Sequence, residues 1–201
     1  FVPTGAKQVG KFFNEDYNRL ATEYSEYLLR NIKEENLEFD YNIVGERIEK
    51  FGFLSSYETT PVKKALLEVE PKIRPIKKTV NYNFDELPGF NVSVPLNSTE
   101  LRFLKKNAGK YFNDYMNNSV LNDPEYQASI AQGDMMTARG MIKAALSQAR
   151  SDATADLLDA EPDADGNYTF PGYLALNARA EELKTKKITS ENRGRGLVND
   201  N

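Results

Sequence analysis

Apolar residues recur at spacings of three and four along most of the chain, which is the spacing of one face of an α-helix. The first such stretch covers residues 5–39 and predicts an amphipathic helix whose apolar face is rich in Tyr and Phe. Residues 43–53 predict a second helix or a turn, because Gly45 and Gly52 weaken both of its ends. With the elements described below, the pattern predicts a mainly α-helical, elongated bundle of about five to seven helices.

Two helix starts carry the same capping signal, a polar residue followed by proline. Thr60 and Asp123 can each accept a hydrogen bond from a backbone N–H of the following turn, and Pro61 and Pro124 suit the first helical position. Pro71 and Pro75 should end the first of these helices, because proline cannot continue a helix. The pattern therefore predicts helices beginning at both positions.

A third helix start, at Asn97, has the form of a capping box. Glu100 follows three residues later, so each side chain can accept a hydrogen bond from the backbone N–H of the other residue. The predicted helix runs to about residue 118 and contains Gly109. Because glycine costs a helix about 1 kcal/mol relative to alanine, we expect Gly109 to mark the close approach of a neighbouring backbone.

A long alanine-rich helix is predicted for residues 135–160. Ala145 and Ala149 are among its small residues, and small side chains allow a second helix to approach closely. We therefore expect this helix to make the tightest helix–helix contact of the chain, either with the helix of residues 98–118 or with a neighbouring copy. Gly140 is expected to widen the groove between the two helices.

The C-terminal part predicts one more amphipathic helix, from residue 173 to about 188, followed by a flexible tail rich in Gly, Arg and Asn. Arg193 and Arg195 are candidate partner-binding residues in this tail. The whole pattern divides the chain into an N-terminal helical segment (1–75), an extended arm or hairpin (76–96), a second helical segment (97–160), and a C-terminal helix with its tail (161–201).

Residues 76–96 differ from the rest because apolar and polar residues alternate there. A turn at Leu87-Pro88-Gly89 separates two alternating stretches, which predicts one short β-hairpin near residues 78–94 or an extended arm. Basic and aromatic residues occur together here, an arrangement that can hold single-stranded nucleic acid, dock on an acidic protein surface or protect an exposed strand edge. Edge protection is the preferred interpretation. These candidate partner-binding residues are Lys72, Arg74, Lys77, Lys78, Tyr82 and Phe84.

Composition limits the chemistry available to the chain. It contains no His and no Cys, which removes the commonest general base and every thiolate metal ligand. The net charge of -4 argues against a general nucleic-acid coat, which needs an excess of Lys and Arg. No nucleophile–base pair, phosphate-binding loop or dinucleotide-binding fingerprint is present. The sequence therefore predicts no catalytic, cofactor-binding or metal-binding residues.

One acidic turn has a calcium-like spacing. Asp163, Asp165 and Asn167 are spaced like the first ligands of a calcium-binding loop. However, Gly166 precedes the third of these residues rather than following it, and the twelfth position is Leu174 rather than Glu. A polar turn between helices is the preferred interpretation.

A series of short motifs runs from Leu96 to Ala153. It consists of Leu96, Ser98 and Glu100 at a helix start, Gly109 within that helix, Asp123 with Tyr126, and Ala149-Arg150 with Ala153. This series, together with residues 1–3 and the helix of residues 60–75, resembles the C-terminal region of very large tailed-bacteriophage proteins. These are internal virion proteins, or DNA-ejection proteins, including those of the large polyvalent type. The resemblance covers roughly residues 1–160.

The resemblance implies a packaged protein that leaves the capsid with or before the DNA and helps to form a conduit across the host envelope. Its expected location is the virion interior, and after ejection the host cell envelope. The expected partners are the portal or other virion proteins and further copies of the chain in a homo-oligomer or ring, with packaged DNA nearby. The family supplies no catalytic residues at these positions, so a structural, non-enzymatic segment is expected.

Two other functions are open at this point. The chain could be the docking or packaging module of a giant virion enzyme, such as a polymerase or a cell-wall lytic enzyme, whose catalytic domain lies outside these residues. A first residue other than Met favours that alternative. It could also be an autonomous nucleic-acid-binding protein that uses residues 72–84, which the acidic net charge disfavours.

Overall fold

The computed structural model describes residues 40–48 and 60–194. In these residues the chain is mainly α-helical with short antiparallel hairpins, so the predicted fold class is confirmed. The predicted helix of residues 5–39, the end of the 43–53 segment and the tail after residue 194 lie outside the described residues. The elements are β1 (Asp40–Tyr41), β2 (Arg47–Ile48), α1 (Pro61–Val69), β3 (Thr79–Asn83), β4 (Asn91–Pro95), α2 (Ser98–Asn118), a 3-10 turn (Val120–Asn122), α3 (Pro124–Gln132), α4 (Met135–Leu158) and α5 (Tyr173–Gly194).

The predicted capping signals begin the helices where the sequence indicated. The Thr60 hydroxyl accepts a hydrogen bond from the first turn of α1 (3.3 Å), and the Asp123 carboxylate accepts one from the first turn of α3 (2.7 Å). At α2, the Asn97 N–H donates to Glu100 (2.8 Å), and the Glu100 N–H donates to the Asn97 side chain (2.9 Å). The predicted capping box is confirmed.

Residues 43–48, the described part of the 43–53 segment, form a turn and a strand, so the turn is confirmed and a helix over these residues is wrong. The side-chain oxygen of Asn42 accepts hydrogen bonds from the backbone N–H groups of Val44 (3.1 Å) and Glu46 (2.9 Å). Gly45 has a φ of 77°, a left-handed conformation that glycine adopts without strain. These contacts reverse the chain and bring β2 antiparallel to β1.

The last helix is longer than predicted. α5 continues to Gly194, beyond the expected end near residue 188. Lys186 and Glu182 form an ion pair one helical turn apart (2.5 Å), and such pairs support a helix in solvent. The end of α5 thus includes the backbone of Arg193, which the sequence had assigned to the tail.

The chain divides into two compact units, each assembled from segments that are distant in sequence. Unit 1 comprises residues 1–76 and 104–153. Its described part has one apolar cluster formed by side chains from the β1–β2 turn, α1, α2, α3 and α4. The buried members of this cluster are Val44, Val62, Ala65, Leu66, Val69, Phe112, Met116, Val120, Tyr126, Ala138, Ile142, Ala145, Leu146 and Ala149.

Within unit 1, α2 and the β1–β2 turn meet at two glycines. A Cβ atom on Gly109 would lie 2.0 Å from the backbone nitrogen of Gly45 and 2.7 Å from the carbonyl carbon of Val44. No side chain fits at that distance, so the contact requires glycine at residue 109. The prediction that Gly109 marks the close approach of a neighbouring backbone is confirmed.

Unit 2 comprises residues 77–103 and 154–201. β3 and β4 pair antiparallel, with Thr79 opposite Pro95 and Asn83 opposite Asn91. α5 packs against β4, so residues 79–95 form a packed hairpin and not an extended arm. The buried side chains of this unit are Val80, Phe84, Val92, Val94, Glu100, Leu157, Phe170, Tyr173, Leu176 and Ala180.

Candidate functional site

The four predicted cations before the hairpin are exposed. In unit 1, the main-chain carbonyl of Arg74 accepts a hydrogen bond from Arg150 (2.6 Å), which holds the backbone beside Lys72 but leaves both basic side chains in solvent. In unit 2, Lys77 and Lys78 immediately precede β3. None of the four basic side chains forms an ion pair with a residue that the structure describes.

The two aromatic residues of the predicted binding surface face inward. Phe84 is buried, and the Tyr82 hydroxyl lies 2.8 Å from the hydroxyl of Tyr173 and donates to the side-chain oxygen of Asn177 (2.7 Å) on α5. Burial, followed by the hydrogen bond with Tyr173, raises the pKa of Tyr82 well above its usual value of 10.0. Phe84 is thus too buried to offer a ring face on which a nucleobase could stack, and Tyr82 is partly buried.

Two lysines of α5 lie over aromatic rings of the hairpin. The Lys184 ammonium is 4.5 Å from the ring centre of Phe84, and the Lys187 ammonium is 4.6 Å from that of Phe90. Both distances are within cation–π range. Lys184 also forms an ion pair with Glu86, and this contact lowers the pKa of the Glu86 carboxyl group. The hairpin and α5 are therefore joined by polar contacts as well as apolar ones.

A buried carboxylate connects α5 to the start of α2. Glu100 is 1% exposed, and its second oxygen accepts a hydrogen bond from the guanidinium of Arg179 (2.6 Å). With the capping hydrogen bond from Asn97, both oxygens of Glu100 have donors. A charged group that is buried needs such partners, and here they are supplied within the protein. Glu100 is thus engaged in structure and is not presented to a substrate.

The predicted alanines of the long helix occupy the core of unit 1. Ala149 is fully buried and Ala145 nearly so, in the same apolar cluster as Phe112 of α2. Ala144, by contrast, is exposed. A Cβ built at Gly140 would have no neighbouring atom within 4 Å among the described residues, so Gly140 does not border a second described helix, and a groove toward a neighbouring copy stays a prediction. The remaining candidate, Arg195, lies outside the described residues, as does the side chain of Arg193.

The acidic turn after α4 is closed by its own backbone. One Asp163 oxygen accepts hydrogen bonds from the N–H groups of Asp165 (3.0 Å) and Asn167 (2.8 Å), and these bonds lower the pKa of Asp163. Gly166 has a φ of 82°, as the tight turn requires. Among residues 40–48 and 60–194, no cluster of three acidic side chains is arranged to hold a metal ion.

Several residues of these contacts were not found by sequence reasoning, namely Gly45, Tyr173, Asn177, Arg179, Lys184 and Lys187. The spacing of Lys184 and Lys187 places both side chains on the same side of one helix, and this was the only local indication that they act together. Their partners are about a hundred positions away in sequence, so no spacing rule joins them.

None of the helices that the structure describes is long and apolar enough to cross a lipid bilayer. No protein-family model matches the chain, and no curated protein or solved structure is significantly similar to it.

Proposed function

We propose that this chain is a structural, non-enzymatic segment of a bacteriophage internal virion protein. It packs near the portal, in contact with the portal or other virion proteins and with further copies of itself. It takes part in delivery of the genome and passes with the DNA from the virion interior to the host envelope. Its role is mechanical, so its residues serve helix packing and not bond-making chemistry.

The observation that supports this proposal is the structural use of the motif residues on which the phage resemblance rests. Glu100 closes a capping box, Gly109 allows a backbone contact, and Asp123 caps a helix. Tyr126, Ala149 and Ala153 of the series are buried, and Leu96 is partly buried. A motif series whose members cap and pack helices is what a scaffold segment requires, because such residues specify helix ends and contacts.

The polar groups that are buried support the same conclusion. The buried Glu100 carboxylate and the partly buried Tyr82 hydroxyl each have hydrogen-bond partners from the same unit. A catalytic acid or base needs access to a reacting proton, and neither group has it in this arrangement. The chain also contains no His and no Cys, which removes the residues most often used for proton transfer and thiolate chemistry.

The experiment compares filled and emptied particles of the phage that encodes the chain. Purified virions are triggered to eject their DNA, and both particle forms are digested and quantified by mass spectrometry. We expect peptides of this chain in filled particles and their loss from emptied ones, while portal and major capsid peptides stay constant. An internal protein leaves with the genome, whereas a protein of the shell or tail does not.

Three results would contradict the proposal: absence of the chain from filled particles, full retention in emptied particles, or hydrolytic or polymerising activity of the purified chain. The size of the polypeptide in the virion is measured in the same experiment by immunoblotting. A band near 22.8 kDa would exclude the docking module of a giant virion enzyme, because that alternative requires a much larger polypeptide.

A further inference from the structure

Some backbone N–H and C=O groups of β3 do not bond to β4 and lie on the opposite edge of the strand. Leu96 donates a backbone hydrogen bond to Lys78 (2.9 Å), which identifies residues 78 and 96 as a hydrogen-bonded pair. Hydrogen-bonded and non-hydrogen-bonded pairs alternate along an antiparallel ladder. The N–H and C=O groups of Thr79, Asn81 and Asn83 therefore point away from β4.

The two edges of this hairpin differ. On β4, α5 packs against the strand, the Asn91 carbonyl accepts a hydrogen bond from Lys187 (2.9 Å), and Pro95 has no N–H to donate. On β3, the side chains of the outward-pointing residues are exposed. Their backbone groups have no hydrogen-bond partner among the residues that the structure describes. Of the two edges of this hairpin, the β3 edge is therefore the one that, within residues 40–48 and 60–194, is left to accept another strand.

The charges at the two ends of β3 are opposite. Lys77 and Lys78 precede the strand, and Asp85 and Glu86 follow it. If a second β3 lies antiparallel to the first and the two strands are centred on Asn81, residues whose numbers sum to 162 stand opposite each other. Lys77 and Asp85 lie two residues beyond the two ends of β3, so this register places Lys77 of each copy near Asp85 of the other. Both side chains are exposed, and neither forms an ion pair within the described part of the chain.

We propose that β3 pairs with β3 of a second copy of this chain, antiparallel and with a two-fold axis through Asn81. The two hairpins form one four-stranded sheet, in which Thr79 of each copy stands opposite Asn83 of the other. The register makes every outward N–H and C=O of these residues a member of a hydrogen-bonded pair. An interface with two-fold symmetry must be complementary to itself, and the Lys77–Asp85 arrangement meets that condition.

Pairing of two β3 strands explains the position of the lysines before β3 better than protection of the strand edge alone. A lysine protects an edge because an incoming strand leaves its charge unpaired. Here an antiparallel copy supplies a carboxylate opposite Lys77, while an unrelated strand or a parallel copy does not. Strand pairing alone buries less than the roughly 1,600 Å² of a standard interface, so we expect a weak dimer with a dissociation constant on the order of 100 µM. The inference does not depend on the proposed function.

The first test is sedimentation equilibrium of the full 201-residue chain up to about 1 mM. We expect a concentration-dependent dimer. Asn81→Pro removes the central outward N–H without removing a bond of the hairpin itself, and should raise the dissociation constant at least about tenfold. Ser93→Pro makes the same change at the facing position of β4 and should change the dissociation constant of the dimer by no more than about twofold. Circular dichroism checks that both variants fold.

The second test exchanges the charges. Lys77→Glu or Asp85→Lys alone places like charges opposite each other at both ends of the pairing, and each should weaken the dimer roughly tenfold. The double variant K77E/D85K restores opposite charges and should dimerise as the unaltered chain does. The proposal is overturned by a chain that stays monomeric at about 1 mM, by dimers that Asn81→Pro leaves intact, or by a double variant no better than the single ones.

Discussion

Different kinds of contact stabilise the interior of each of the two compact units. Unit 1 has a continuous apolar cluster and a contact between two glycine backbones. Unit 2 also buries apolar side chains, and polar contacts add to the attachment of its α5 helix. These are two lysines over aromatic rings, a tyrosine hydroxyl network and an ion pair between Arg179 and the buried Glu100. The stability contributed by apolar contacts depends on how well the side chains fit together, whereas that contributed by polar contacts also depends on pH and salt.

This difference suggests how each unit should respond to change. Close-packed interiors tolerate added volume poorly, so unit 1 should be sensitive to a single methyl group in the wrong place. Ion pairs and hydrogen bonds each contribute little net free energy, so unit 2 should respond weakly to any one substitution but visibly to solution conditions. Four predictions follow this contrast, and all use urea unfolding with hydrogen exchange of peptides from each unit.

The largest effect is expected for Gly109→Ala in unit 1. The new Cβ would lie 2.0 Å from the Gly45 nitrogen, and the obstructing atoms belong to the backbone and cannot rotate away. We expect a loss of about 3 kcal/mol in the free energy of unfolding, after the roughly 1 kcal/mol that alanine gains in helix propensity. Hydrogen exchange should rise in peptides of unit 1 first.

Gly140→Ala is the matched control for this change. It is the same substitution inside a helix, but the added Cβ meets no atom within 4 Å among the described residues. We expect a gain of about 0.5–1 kcal/mol, because alanine favours the helix and restricts the unfolded chain. Equal effects of the two substitutions would show that the glycine contact is not specific.

The second prediction concerns the alanines of α4. Ala149→Leu adds three carbons where the side chain is fully buried, and should cost about 2 kcal/mol through overpacking. Ala144→Leu makes the same change at an exposed position of the same helix and should be nearly neutral. If both variants unfold at the urea concentration of the unaltered chain, the alanine face of α4 is not tightly packed.

Local signals allowed the helix starts to be predicted from sequence. The capping residues Thr60, Asn97 and Asp123 act on the turn that follows them, so their chemistry can be read within four positions. Gly109 was also informative, because an interior glycine is costly in a helix and needs a compensating reason. The identity of its partner, Gly45, was not predictable, since the two are joined only by the fold.

The polar contacts of unit 2 show the limit of sequence reasoning. Tyr82 and Phe84 were candidate partner-binding residues, beside the preferred interpretation of edge protection, because basic residues stand close to them in sequence. In the structure both rings contact α5, whose residues follow about 90–100 positions later. Alternation along β3 indicates two faces, but it does not tell which face a distant helix will cover.

The third prediction is a pH effect on unit 2. Burial and the Tyr173 hydrogen bond raise the pKa of Tyr82 above its usual 10.0, so above pH 10 the unfolded chain releases this proton while the folded chain keeps it. The contribution to stability is complete below pH 10 and declines as pH rises further. Tyr82→Phe should cost about 1 kcal/mol at neutral pH and flatten the decline above pH 10.

Tyr168→Phe is the control for that pH effect. Its ring stacks on Tyr173 at 5.0 Å, and the substitution keeps the ring while removing one hydroxyl. We expect the decline above pH 10 to persist in this variant. If Tyr82→Phe declines as steeply as the unaltered chain, other groups, such as the lysines of α5, account for the alkaline loss.

The smallest effect is expected for the lysines of α5, and it should appear as a change in salt dependence. Lys184 lies over Phe84 and pairs with Glu86 and Glu181, and Lys184→Met removes the charge while keeping an unbranched chain over the ring. Salt near 1 M shortens the screening length to about 3 Å, so it should weaken unit 2 of the unaltered chain more than that of the variant. Lys186→Met breaks an exposed pair with Glu182 that lies over no aromatic ring of the described residues, and should leave the salt dependence of unit 2 unchanged. If the two lysine variants behave alike, the attachment of α5 does not depend on the charge of Lys184. If salt destabilises unit 1 as much as unit 2, the two units do not differ in their dependence on charge. Either result would show that the contrast between an apolar and a polar unit is wrong.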